Sequence, residues 1–148
     1  MTLVDHVTNA GALPTLAQSI QFAAQRQTIL SHNIANASTP RFQHKDVPPE
    51  AFQATLRDAV DERRERTGGQ SGELRLRSSR EIQFTDRGVR LSSESRASGG
   101  VLAHDRNNRD LESMMQDLTE NLGAYRVATE LMRTQSGTMR VAISERVG

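Results

Sequence analysis

The sequence predicts a mainly α chain, in which two long terminal helices pack as a coiled-coil-like pair around a short helix and an irregular middle region with room for a small β element. Three observations predict it. Near the N-terminus apolar residues recur at alternating spacings of three and four, near the C-terminus the same seven-residue pattern runs for several heptads, and the stretch between them is polar and rich in turn residues. The expected division is 1–40, 41–105 and 106–148.

The first element is a helix over 13–35. A short helical turn at Leu3 to Val7 is expected ahead of it, broken at Gly11, and Pro14 suits a first helical turn, where its missing N–H is least needed. Leu13, Leu16, Ile20, Ala23, Gln27, Leu30 and Ile34 then fall on one stripe, apolar except for Gln27. Ser38 and Thr39 favour local turns, and Pro40 pushes Thr39 out of the helical region, so the helix ends near Asn36.

The middle offers less. Pro48-Pro49 followed by Phe52, Leu56 and Val60 reads as a short helix folded back on a long one. Thr67 to Gly72 reads as a flexible loop. Leu74 and Leu76, then Ile82 and Phe84, alternate with polar residues, and Asp86-Arg87-Gly88 can turn the chain before Val89 and Leu91, which predicts a small β element. Ser92 to Gly100 is polar and carries no pattern.

The last element carries the stronger signal. Leu111, Met114, Leu118, Asn121, Tyr125, Ala128, Met132, Gln135, Met139 and Ala142 hold a heptad pattern with no proline to interrupt it, predicting a helix over 110–144 with Asp110 as its cap. Such a helix is about 50 Å long against about 35 Å for its partner. Part of its stripe is therefore left to other chains. Asn121 and Gln135 are polar residues on that stripe, where a buried polar group costs stability and fixes register; the alternative for Asn121 is that it faces water.

Composition bounds the function. Of 148 residues only 35% are hydrophobic and 3% aromatic, with no Trp and a mean hydropathy of -0.61, so self-contained burial is thin and help from partners is expected. The isolated chain is expected to gain helix on assembly. Nineteen basic and 18 acidic residues nearly cancel, which gives no pull towards nucleic acid or an anionic membrane. The absence of Cys removes disulfides, thiolate metal sites and Cys nucleophiles. No stretch approaches the length of a membrane span, and the N-terminus lacks the basic start and apolar run of a cleaved signal peptide.

Candidate chemistry is sparse. His6, His32, His44 and His104 have no second ligand at metal-site spacing and read as ordinary surface histidines. Asp105 to Asp110 has the polar composition of a calcium loop, but Arg109 holds a ligand position and Asp110 stands where Gly is needed. Asn36-Ala37-Ser38 matches a glycosylation acceptor and is better explained as a helix-ending turn. Arg63, Arg64 and Arg66 interleave with Asp61, Glu62 and Glu65, the pattern of a solvated, salt-bridged stretch. Methionines 114, 115, 132 and 139 suit an adaptable packing surface. No nucleophile with a base, phosphate loop or carboxylate pair stands out, so no catalysis, cofactor, metal or small-molecule substrate is expected. A soluble coiled-coil adaptor or export chaperone would carry the same heptads and form a closed oligomer.

The segment Asn33-Ile34-Ala35-Asn36-Ala37-Ser38-Thr39-Pro40, preceded by Arg26-Gln27, resembles the signature of the flagellar rod and hook family, in which an N-terminal helix ends in an Asn-Ile-Ala-Asn, Thr-Pro turn. Asn107 to Met115, followed by Asn121 and Tyr125, resembles the other half of that pattern. Short length, the Asn-Asn-x-Asp-Leu lead-in and the lack of a Pro-Asp-Ala-Asp-x-x-Gly-Tyr segment look most like the family's proximal-rod members. Arg41-Phe42 stands where the family usually has Gly-Tyr, and Arg109 where Val is common. Arg41 lacks glycine's access to left-handed backbone, so the turn after Pro40 is expected to differ in detail. The resemblance implies an axial building block of the basal body, exported through the flagellar type III apparatus without a cleaved signal and assembled helically in the periplasm. It implies contacts with further copies of itself, with other rod proteins and with the export-gate adaptor FliE.

Overall fold

A computed structural model of the chain describes residues 10–68, 71–85, 88–92, 94–95 and 106–147. It is mainly helical. The described elements are α1 (Leu13–Ala35), β1 (Lys45–Asp46), α2 (Pro49–Thr67), β2 (Ile82–Thr85), β3 (Gly88–Leu91), β4 (Glu94–Ser95) and α3 (Arg106–Val147). The short turn expected at Leu3 to Val7 lies outside the described residues.

Helix α1 has the bounds its periodicity predicts, with proline in its first turn and Asn36 closing its end. It buries two faces. Leu13, Ala23 and Leu30 lie on the stripe that meets α3, whereas Phe22, Arg26 and Asn33 face the middle of the chain. The second face escaped the heptad reading because two of its three buried residues are polar.

Helix α2 follows Pro48, whose extended backbone (φ -58°, ψ 128°) keeps it outside the helix, and stops at Gly68. Gly68 takes a left-handed φ of 73° and donates its N–H to the Arg64 carbonyl at 2.9 Å, a glycine cap that satisfies an orphan carbonyl. Residue 68 is thus a helix stop rather than part of a free loop. Phe52 of α2 stacks on Phe22 with ring centroids 4.2 Å apart and planes 11° from parallel. Stacked aromatics add about 0.5–1.5 kcal/mol beyond the area they bury.

The hairpin pairs β2 with β3, Ile82 opposite Leu91 and Phe84 opposite Val89. Ile82 and Val89 close a small core with Phe22, Val47 and Phe52. Gly88 lets this hairpin approach α1, since a Cβ there would lie 2.6 Å from the Gln21 side-chain oxygen, which accepts the Val89 N–H at 3.2 Å. Leu74 and Leu76, expected to alternate in a strand, are half-buried without a ladder. A second, two-residue ladder joins Lys45 to Ser95 and Asp46 to Glu94. Its residues are all polar, so no alternation announced it.

Helix α3 spans 42 residues, about 63 Å by the helical rise. It starts at Arg106, which places Asp110 inside the helix and not at its cap, and makes the 106–110 stretch helical instead of a cation-binding loop. It runs antiparallel to α1: Asn121 meets Ala23 and Gln27, while Gln135 lies beside Gly11 at the start of α1. From there α3 runs on past the start of α1 for about three further turns. Among the described residues no helix is long and apolar enough to cross a membrane.

Candidate assembly surface

The seam between α1 and α3 is where most of the sequence-predicted residues converge. Leu13, Leu30, Met114, Asn121 and Ala128 are buried; Leu16, Ile20, Gln27, Ile34, Leu111, Leu118, Met132, Gln135 and Met139 are half-buried; Tyr125 is exposed. The two polar residues at its centre meet each other. The Asn121 amide donates 2.9 Å to the Gln27 side-chain oxygen and 2.9 Å to the Ala23 carbonyl, and Asn121 is only 5% exposed, so it does not face water. One register satisfies both bonds. A slip by one heptad would leave the buried amide without either acceptor, at about 1–3 kcal/mol.

The Asn33–Pro40 turn anchors the other face. Asn33, 2% exposed, donates to the Lys45 carbonyl at 2.5 Å and accepts the Lys45 N–H at 3.1 Å, so its side-chain amide pairs with β1 as a neighbouring strand would. Asn36 donates its side-chain amide to the His32 carbonyl at 2.8 Å, and its own N–H reaches the carbonyls of His32 and Asn33. The amide of the Asn36-Ala37-Ser38 triplet is thus engaged in ending the helix. Thr39 then donates its N–H to Asn36 at 2.9 Å and Phe42 to Thr39 at 3.1 Å, while Ile34 and Ala35 complete the last helical turn. Arg41 has φ 63°. The left-handed region that glycine enters without strain is thus occupied here by arginine.

Two turns before Asn33, Arg26 forms a two-pronged ion pair with Asp46 at 3.0 and 2.9 Å, with both side chains under a tenth exposed. Asp46 also accepts the Val47 N–H at 2.8 Å. Removing one member of such a buried pair costs about 3–5 kcal/mol because the other charge is stranded. Sequence reasoning missed this pair. Its only signal was a charged residue flanking the apolar stripe of α1.

A third tether joins α2 to the start of α1, where Arg63, 3% exposed, donates to the Gly11 carbonyl at 2.6 Å. Arg64 pairs with Asp61 at 3.4 Å in solvent, and Arg66 donates to the Glu73 carbonyl. Three adjacent-looking arginines thus divide into one buried clamp and two surface contacts. His32, Phe42 and His44 form a run of tilted rings, and His6 and His104 lie outside the described residues. No group of three or more His, Asp or Glu side chains that could hold a metal occurs among the described residues.

Exposed apolar residues concentrate on α3. Met115, Tyr125, Val127, Leu131, Val141 and Ile143 are all more than a third exposed. Val127 and Leu131 border a groove of about 520 Å³ lined also by Leu16 and Phe22 from α1 and Phe52 and Leu56 from α2. A single chain leaves this surface uncovered.

Residues 16–43, which hold most of α1 and the whole Asn33–Pro40 turn, match the family described as flagella basal body rod protein. The flagellar basal body rod protein FlgB of Yersinia enterocolitica is 42% identical over 72 residues, 49% of each chain. FlgB of Yersinia ruckeri is 40% identical over a segment of the same length and coverage, and FlgB of Salmonella typhimurium is 41% identical over 58 residues, 39% of this chain and 40% of its own. The chain thus spans about half the length of the curated relatives it matches. No solved structure matches it. The short length and the Asn107-Asn108 lead-in point to the proximal-rod members FlgB and, second to it, FlgC; the family model bears out the resemblance to flagellar basal body rod proteins, and the matched relatives bear out FlgB among them.

Proposed function

We propose that the chain is a non-enzymatic structural subunit of the proximal rod of a bacterial flagellar basal body, assembled helically through its terminal helices. In this reading 1–40 and 106–148 are the assembly segments and 41–105 is the variable part. The subunit reaches the periplasmic rod through the flagellar type III export apparatus without a cleaved signal, and it contacts its own copies, other rod proteins and the adaptor FliE.

The observation that carries the reading is the seam itself. It begins in a segment similar to rod proteins, is held in one register by Asn121 and Gln27, and runs on past the end of α1 with apolar residues exposed. Exposed apolar surface of that extent on a helix is the mark of an association face.

A strain of the source bacterium lacking this gene is expected to stop at a basal body without a rod and to swim again when the wild-type gene is returned. Tyr125→Asp alters an exposed seam position outside the core, so the variant is expected to accumulate normally and fail to restore swimming. Gln83→Lys, exposed on β2, is expected to restore it. Intact rods in the deletion strain would overturn the proposal, and a closed soluble dimer in sedimentation would favour the adaptor reading instead.

A further inference from the structure

We propose that the groove between α1, α2 and α3 receives the projecting end of α3 from a second copy of this chain, so that the subunits join head to tail. The inference rests on the assembly reading and goes beyond it by naming the two surfaces that meet.

The two surfaces match in length. Along α3 the groove runs from Glu120 to Leu131, about 16 Å by the helical rise, and Val127 and Leu131 on its wall are 60% and 52% exposed. Beyond Gln135, where α1 ends, α3 extends through Val147, about 18 Å of helix. On this projecting end Met139 and Ala142 prolong the seam, and Ile143 beside them, four residues after Met139, is 43% exposed past the start of α1.

The charges match as well. Two charged side chains line the groove, Arg26 and Glu120. Arg26 is neutralised by Asp46, whereas the partner of Glu120 among the described residues is the neutral Gln116 amide, so the groove lining is left net negative. The projecting end offers an exposed Arg140 one turn before Ile143. Because groove and projection are different surfaces of one subunit, the contact is heterologous and repeats from copy to copy instead of closing into a dimer.

The absence of cysteine makes the contact directly readable. Ala124→Cys and Ile143→Cys place one thiol in the groove, one turn from Glu120, and one on the projection, one turn from Arg140. In oxidised basal bodies from cells carrying only the double variant, a ladder of cross-linked species beyond the dimer is expected. Co-expression of the two single variants should yield a heterodimer and nothing larger, and each alone should give no cross-link. Glu120→Arg in the double-cysteine chain should abolish the ladder, and Arg140→Glu added to it should restore it. A dimer formed by either single variant alone would mean an isologous contact and would overturn the proposal. So would a ladder that appears only after residues 1–9 are removed, which would make the chain's own N-terminus the occupant. Normal swimming without a ladder overturns this contact and leaves the rod function standing, whereas rods in the deletion strain overturn the function itself.

Discussion

Arg41 holds a left-handed backbone that costs an L-residue about 1–2 kcal/mol, and glycine would hold it free of that strain while adding about 0.4–1 kcal/mol of unfolded-state entropy. Arg41→Gly is therefore expected to stabilise the chain by up to about 1 kcal/mol, and Arg41→Val, β-branched at a positive φ, to destabilise it by at least as much. Urea unfolding monitored by circular dichroism compares the two. Asn33 gives the opposite case, where a side chain replaces a strand. Asn33→Ala leaves the Lys45 N–H and carbonyl without their partner, and since Lys45 itself is partly wet the expected loss is about 1–3 kcal/mol. In the same unfolding experiment Asn33→Gln should recover little, because the longer side chain displaces the amide from both groups. The motif spelled out these residues in sequence, but not their work: that an amide mimics a peptide, or that Arg26 finds Asp46, depends on where the chain returns 12 and 20 residues later.

At the scale of elements, what was legible followed from periodicity. Helix α1 and the extent of α3 came from runs of apolar residues long enough to average out single exceptions, and the β2–β3 hairpin from alternation around Asp86-Arg87-Gly88. What was not legible lacked such a run. The β1–β4 ladder is two polar pairs, Leu74 and Leu76 alternate without finding a partner strand, and the sequence places the α3 start four residues late because Asp105, Asn107 and Asn108 cap a helix as well as Asp110 does, and the apolar pattern that chooses among them begins only at Leu111. Packing also predicts a gradient along α3. Amides from Met114 to Ala128, behind the α1 seam, are expected to exchange with solvent hydrogen at least tenfold more slowly than those from Gly137 to Glu145, which lie past the start of α1 and carry the exposed Val141 and Ile143. Hydrogen exchange on the unassembled subunit measures both, and equal protection would mean that α3 is stable on its own propensity.

For the whole molecule, two packed units share α1. One is the small core of Phe22, Val47, Phe52, Ile82 and Val89, and the other is the seam with α3. Truncation after residue 105 should leave the first without the second. With only five buried side chains in that core, and Ala23 and Leu30 laid bare on the other face of α1, the truncated chain is expected to lose cooperative melting. Circular dichroism against temperature tests this, and a sharp transition in the truncated chain would show that the middle folds independently.

The bond from Asn121 to Ala23 joins residues 98 positions apart. Helix α1 thus waits for a helix about a hundred residues downstream, and closing so long a loop precedes any reward from the seam. A polypeptide that emerges N-terminus first, from a ribosome or through a narrow pore, cannot finish folding while its tail is still inside. The same topology that completes the subunit acts as a clock, holding α1 open until α3 is free as far as Gln135.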